Sequence, residues 1–355
     1  MDVVLARRQG AGGLALFGEL AGMASQGFSS FGFARYRLNQ EQIVMLIAAA
    51  AFAAFACLIP NFLSTDNITS LVQNVSVMGI LATGMAISII GRGIDLSMVA
   101  SMSISVAWLL VQLNAGVSMP VALGSAVGFS ILVGIINGVL VAYVEVPAIF
   151  ATLAMGTAIY GFGKFFLVDA DVNYLPESWK WLAALATARP FGFPVPVLIF
   201  IAISLLAHLF LRHVREGRFI YAMGDNPLAA RTSGVPLRLL VVLQYVLTSL
   251  VALAGGLLMA MFVTSMNTRI VSSTLVYDVI LVVVLGGIGL SGGRGGIKSV
   301  IVGTLLIGIL LNGMTMLNLT YTTQNVIKAL ILLVALVLDT LINPRDEQTG
   351  QQGDI

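Results

Sequence analysis

Residues Gly286 to Ser299, GGIGLSGGRGGIKS, carry three nucleotide-binding spacings in one short stretch. Gly287, Gly289 and Gly292 spell G-x-G-x-x-G, the spacing that seats a dinucleotide pyrophosphate on a helix N-terminus. Leu290 to Arg294 read LSGGR, one letter from an ATPase signature, and the run ending in Lys298 and Ser299 approaches a Walker A loop. Each motif requires a context. The dinucleotide fingerprint must join a strand to a helix in a βαβ unit, whereas these glycines join two apolar runs. Walker A needs Gly-Lys-Ser in register with its backbone nest, and here Ile297 separates Gly296 from Lys298. The signature works only inside an ATPase that carries Walker A and Walker B elsewhere, and no such domain fits in the chain. Nucleotide binding is not expected at this stretch. In lipid, glycine instead lets helix backbones approach and lets a helix break where the chain turns.

A second glycine-flanked break occurs at Gly91-Arg92-Gly93-Ile94-Asp95-Leu96-Ser97, where Ile94 to Ser97 echo Ile288 to Ser291. Gly286 and Gly287 close a short apolar run, and Val75–Ile90 before the first break also reads as short. A pair of short, glycine-interrupted spans in two halves of a transporter points to its transport path. Asp95 is the acid that matters, because a carboxylate at bilayer depth costs about 2.5–3.5 kcal/mol. Two compatible readings offset that cost. Asp95 caps the following helix with Arg92 as its ion partner, or it lines a polar cavity. Asn137 reads as a helix–helix hydrogen bond or as a ligand group. Asp95, Ser97, Asn137, Gly286, Gly287 and Asn312 are the candidate path residues. Glu145 before Pro147 reads as a solvated helix end. His208, His213 and the lone Cys57 form no metal set, and neither a metal nor any other cofactor is expected.

The elements that position these residues follow from composition. The chain is 58% hydrophobic and only 10% charged, against about a quarter charged in soluble domains, so its solvent is the lipid bilayer. The net charge of +2 gives no reason to expect a nucleic-acid partner. Apolar runs of about 20 residues span the hydrocarbon core as helices, and only helices or closed barrels satisfy their backbone there. Candidate spans are Gln42–Pro60, Val75–Ile90, Leu96–Leu113, Pro120–Val144 and Ala148–Val168, then Val195–Leu211, Leu239–Phe262, Val279–Leu290, Val300–Leu317 and Val326–Ile342. The expected fold is all-α, a polytopic membrane protein of about ten transmembrane helices with both termini cytoplasmic. With that orientation most of the 18 Lys and Arg fall inside, among them Arg92, Arg212, Arg218, Arg231, Arg238, Arg294 and Lys298. Only Lys164, Lys180, Arg189, Arg269 and Lys328 fall outside or at outer helix ends, as the positive-inside rule demands. Residues 1–40 read as a cytoplasmic leader, 41–343 as the membrane domain and 344–355 as a cytoplasmic tail. The outer loop 169–194, with Trp179 and Trp181, reads as an aromatic belt or a landing surface for an external partner.

The most charged segment is the inner loop 212–238. Within it, Tyr221 to Arg238 read YAMGDNPLAARTSGVPLR. Pro227 suits a first helical turn, Asp225 or Asn226 its cap, and Gly234 with Pro236 its end. A short helix on the membrane face results, which either anchors the topology or receives a docked protein.

Here a resemblance becomes specific. Ala229-Ala230-x-x-x-Gly234 is similar to the core of the EAA loop of bacterial ABC permeases, with Leu228 where the glutamate would stand. From about Ile43 to Asp339 the chain resembles the ribose/xylose/autoinducer-type branched permease family of ABC importers. Gly91 to Ser97 match its G-x-I-D-L-S segment, and Asn137, Gly138 and Pro147 to Leu153 its N-G and P-F-I-x-T-L segments. Gly224, Asn226, Ala229, Ala230, Ser233 and Gly234 match its G-x-N-x-x-A-A-x-x-S-G loop. Leu285 to Gly296 and Asn312-Gly313 match its glycine turn and later N-G pair. The resemblance implies a permease subunit of the bacterial inner membrane with no catalytic residues of its own. It implies a second permease chain, identical or paralogous, an external binding protein that delivers a sugar, and separate ATPase subunits. The ATPase-coupling residues would be Gly224, Asp225, Asn226, Ala229, Ala230, Arg231, Ser233 and Gly234. An ion-coupled secondary transporter is the alternative, but it needs several deep carboxylates, and Asp95 is the clear one. A membrane-embedded enzyme would need a cluster of nucleophile, base or metal ligands, which the sequence does not display.

Overall fold

The computed structural model describes residues 40–342. The leader and the tail lie outside the described residues, apart from Gln40. The chain is helical throughout its apolar runs. Helix α1 spans Gln40–Leu58, α2 Thr65–Ile90, α3 Met98–Asn114, α4 Met119–Ala142 and α5 Ala148–Phe162. Next in the chain come α6 (Trp181–Thr187), α7 (Val195–His213), α8 (Arg215–Asp225) and α9 (Pro227–Thr232). The last four are α10 (Leu237–Val263), α11 (Leu275–Gly286), α12 (Ile297–Met316) and α13 (Tyr321–Ile342). Among the described residues seven helices are long and apolar enough to cross a membrane, and α3, α11 and α13 are shorter apolar helices. Each candidate span overlaps one of these ten, although the eighth, Val279–Leu290, is shifted, since its helix starts at Leu275 and ends at Gly286.

The expected short second span is corrected. Helix α2 runs 26 residues, not from Val75 but from Thr65. Its first turns are too polar to register as an apolar run, yet they are well capped. Ser64 Oγ accepts from Asn67 N at 3.3 Å, and Asn67 Nδ2 donates to Phe62 O at 2.7 Å. From Val75 to Ile90 every residue of α2 is buried, so this half is the hub of the bundle. A helix that is apolar all round must be covered on all sides. Helices α7, α10, α11 and α12 supply that cover.

Helix α10 is 27 residues long and packs tightly along α4. Gly134 and Gly138 face it one turn apart. A Cβ on Gly134 would lie 2.5 Å from Val246 Cα, and one on Gly138 would overlap Val242 Cα. Backbone contact through small residues is how helices gain packing energy in a medium as apolar as they are.

The loop 169–194 holds more structure than an aromatic belt. Strands β1 (Val172–Tyr174) and β2 (Ser265–Asn267) pair antiparallel. Asp171 clasps this ribbon, with Arg269 Nε 2.7 Å from its Oδ2 and Lys164 Nζ 3.1 Å from its Oδ1. The Lys164 hydrogen bond above all, with Arg269 adding to it, holds the Asp171 carboxyl below the usual carboxylate range against an opposing desolvation. A depressed folded-state pKa stabilises above the unfolded value of about 3.9 and is lost as pH falls through the folded one. Asp171→Asn should therefore loosen the ribbon at pH 7 but change little near pH 2. Hydrogen exchange at Asn173 and Met266, followed against pH, reads this directly.

Candidate functional site

Two short helices make the element that the sequence singled out. Asn226 ends α8 and caps α9 in extended geometry, φ −145° and ψ 99°. Its Oδ1 accepts from Ala229 N at 3.0 Å, and Pro227 fills the first helical position. At the far end Gly234 has φ +79°. Gly234 N donates to Arg231 O at 3.0 Å and Val235 N to Ala230 O at 3.1 Å. These are the paired bonds of a Schellman ending, which needs a left-handed residue at this position. Gly224 and Ala230 face inward, while Asp225, Leu228, Ala229, Arg231, Ser233 and Gly234 are exposed.

The two glycine breaks meet beneath this elbow. Gly293 N donates to Ile90 O at 2.8 Å, joining the turn after α11 to the end of α2. Gly224 sits against both. A Cβ there would overlap Ile90 O and lie 2.5 Å from Gly293 N. Arg92 completes the junction, with Nε 2.7 Å from Gly224 O and Nη2 2.9 Å from Asp225 O. Arg92 adopts φ +64°, a left-handed conformation costing roughly 1–2 kcal/mol outside glycine. Its side chain is thus fastened to the elbow, in place of the expected ion pair with Asp95. Tyr221 OH adds a further tie, donating to Gly295 O at 2.8 Å. On the elbow's other side Arg238 Nη2 lies 3.2 Å from Glu145 Oε1, so Glu145 is a tethered turn rather than a merely solvated end.

Asp95, Ser97 and Asn137 are brought together deep in the bundle, each fully buried. Ser97 N and Ser97 Oγ donate to Asp95 Oδ1 at 2.9 and 2.6 Å. Asn137 Nδ2 donates to Ser97 Oγ at 2.7 Å, which ties the break to α4 between its two packed glycines. Ser97 itself is the N-cap residue of α3. Asp95 acts two residues earlier than a capping side chain would, organising the turn that leads in. Thr152 on α5 closes the turn from outside, accepting from Leu96 N at 3.1 Å and donating to Ile94 O at 3.0 Å. Asp95→Asn keeps an acceptor for Ser97, whereas Asp95→Leu leaves buried donors unpaired at about 1–3 kcal/mol. Thermal unfolding in detergent should rank wild type and Asn above Leu, and equal losses in the two variants would remove this role from Asp95.

The remaining candidates lie elsewhere. Gly286 packs on the Ser299 backbone, and Gly287 turns the chain with φ +106°. Asn312 forms a two-way amide pair with Asn67, at 2.8 and 3.1 Å, holding α12 to α2. Sequence reasoning passed over Gln244 and Tyr245, buried beside the first break. A Cβ on Gly93 would lie 2.7 Å from Gln244 Nε2 and 2.9 Å from Tyr245 OH. A Gln-Tyr pair inside an otherwise apolar span is the signal that was available. It also passed over Asp278, whose carboxylate pairs with Lys328 at 2.7 Å. Lys328, expected at a helix end, is therefore a buried cation.

A bundle of apolar helices, interrupted by glycine breaks that carry a capped surface elbow, defines a polytopic membrane permease. The family model described as "branched-chain amino acid transport system / permease component" matches residues 67–336, and the chain belongs to that family. The ribose import permease protein RbsC of Escherichia coli strain K12 is 33% identical over 85% of this chain and 94% of its own. The L-arabinose transport system permease protein AraH of the same strain is 30% identical over 88% of this chain and 93% of its own. Its galactofuranose transporter permease protein YtfT is 33% identical over 74% and 76%.

Proposed function

We propose that this chain is the membrane-spanning permease subunit of an ABC importer for a monosaccharide or similar small polar solute. The names of its relatives support the sugar class, being permeases for ribose, L-arabinose and galactofuranose. Separate ATPase subunits supply the energy, and the chain hydrolyses nothing itself. It lies in the bacterial inner membrane with residues 41–343 as the membrane domain, ten crossings and both ends in the cytoplasm. Two permease chains border the path, and an external binding protein delivers the solute near the β1–β2 ribbon.

The observation that carries this reading is the three-way contact of Gly224, Ile90 and Gly293. An ATPase seated on the exposed face of α8–α9, at Asp225, Leu228, Ala229, Arg231, Ser233 and Gly234, presses on Gly224. Asn226 caps α9 from the exposed side and Ala230 packs beneath it, which keeps the elbow rigid. Because Gly224 rests directly on backbone from both broken helices, displacement passes to α2 and α11 without a soft side chain between. ATP-driven closure then shifts the population between inward- and outward-open arrangements. Asp95, Ser97, Asn137, Gly286, Gly287 and Asn312 serve the path by shaping the broken helices that border it. Few acids are needed, since sugars are held by neutral hydrogen bonds and aromatic faces.

Proteoliposomes test this. Chain, ATPases and binding protein together should take up labelled ribose, arabinose or galactose only when ATP is enclosed on the elbow side. Uptake by the chain alone, driven by a proton gradient, would establish the ion-coupled alternative instead.

A further inference from the structure

A cavity of about 500 Å³ opens among the C-terminal end of α7, helix α8, the first turn of α12 and the start of α1. Arg212, Arg218 and Lys298 line it, with His208, Tyr221 and the Gly295–Gly296 backbone. Among the described residues none of these three cations has an ion-pair partner. The one acid in the lining, Glu41, is engaged, because Ser299 Oγ donates to its Oε1 at 2.7 Å. Three positive charges thus face a shared space with one occupied carboxylate between them. Lys298 makes the arrangement more unfavourable still. It is the second residue of α12, at the positive end of the helix dipole, where an anion belongs and a cation does not. The N-cap Gly296 has no side-chain oxygen to satisfy the first-turn N–H groups. All three side chains belong to exposed residues, so an anion entering the open volume meets three positive charges and a helix start without a side-chain cap.

We infer that this cavity binds a phosphate-bearing anion. Arg212 and Arg218 supply planar donors for phosphate oxygens, Lys298 a point charge, and the α12 first turn its N–H groups. The volume falls within the roughly 300–1,000 Å³ of small-molecule sites, larger than a lone phosphate needs. The cavity lies where α7 ends and α12 begins, so an anionic phospholipid head group reaches it from the bilayer edge, and basic pockets between membrane helices suit such head groups. The inference requires only that α7 and α12 cross the bilayer and does not depend on the transport reading.

The test uses the full-length chain, delipidated in a nonionic detergent, and its thermal unfolding midpoint. Short-chain phosphatidylglycerol should raise the midpoint saturably, while short-chain phosphatidylcholine at equal concentration should not. Arg212→Gln, Arg218→Gln and Lys298→Gln combined should weaken the apparent affinity on the order of a hundredfold, about fivefold for each charge removed. If millimolar inorganic phosphate reproduces the shift in the wild type and not in the variant, the site holds and free phosphate is its source. If the triple variant does not fold, Lys298→Gln alone, exposed at the helix start, should show the single-charge loss. An unchanged response in the variants, an equal shift with phosphatidylcholine, or no shift with any anion would overturn the inference. The last result would assign the cations to an acidic surface of a docked protein.

Discussion

Lys328→Met is expected to destabilise the fold by about 3–5 kcal/mol, the usual cost of leaving one member of a buried ion pair alone. Lys328 and Asp278 are only 10% and 11% exposed in their side chains. Lys328 Nζ lies 2.7 Å from Asp278 Oδ1, 2.9 Å from Oδ2 and 3.0 Å from Thr274 Oγ1. The pair joins α13 to the first turn of α11, a helix of only 12 residues. Val279, Leu281, Val282 and Val283 bury the body of this helix in the core, and the ion pair fixes its N-terminal turn. Replacing both members by apolar residues, as Lys328→Met with Asp278→Leu, should recover most of the loss, because the uncompensated charge goes too. Denaturation midpoints of the two single variants and the double variant, measured in the same detergent, decide the matter. A double variant as unstable as Lys328→Met would show that shape, not charge, carries the effect.

Gly224→Ala should sharply reduce coupling while leaving the bundle inserted. The added Cβ meets backbone on two sides, Ile90 O and Gly293 N, and backbone cannot swing away as a side-chain tip can. Overpacking of this kind costs about 1–3 kcal/mol. Taken from the coupled arrangement, that is roughly a fivefold to 150-fold loss of its population. ATP-driven uptake should fall accordingly, with the Gly293–Ile90 hydrogen bond lost and helical content retained. Gly124→Ala is the control. A Cβ at Gly124 meets nothing within 4 Å, so uptake should be normal. Normal uptake in Gly224→Ala as well would remove the junction from the coupling route.

Much of the architecture was legible because the bilayer imposes simple rules. Apolar run length located all ten long or shorter apolar helices, since hydrocarbon tolerates no other unpaired backbone. Local capping chemistry was equally plain. Asn226, Pro227 and Gly234 act within a few residues of one another, and each role follows from the residue's own donors, acceptors or φ. The start of α2 was not legible, because Thr65 to Asn74 are helical through capping and through contact with α12 rather than through hydrophobicity. Nor was the partner of Arg92. Two residues lie between it and Asp95, but the guanidinium turns to carbonyls of Gly224 and Asp225, more than a hundred positions away.

The chain's own letters settled its solvent, its helical class, its family and the capping of the surface elbow, because composition, periodicity and capping are properties of neighbouring residues. Tertiary structure alone decided that the two glycine breaks touch, that Asp95 faces inward on Ser97 and Asn137, and that Lys328 neutralises Asp278. It also decided that Arg212, Arg218 and Lys298 share one cavity. Those facts depend on which helix ends meet in space, and packing of distant segments sets that where no local rule reaches.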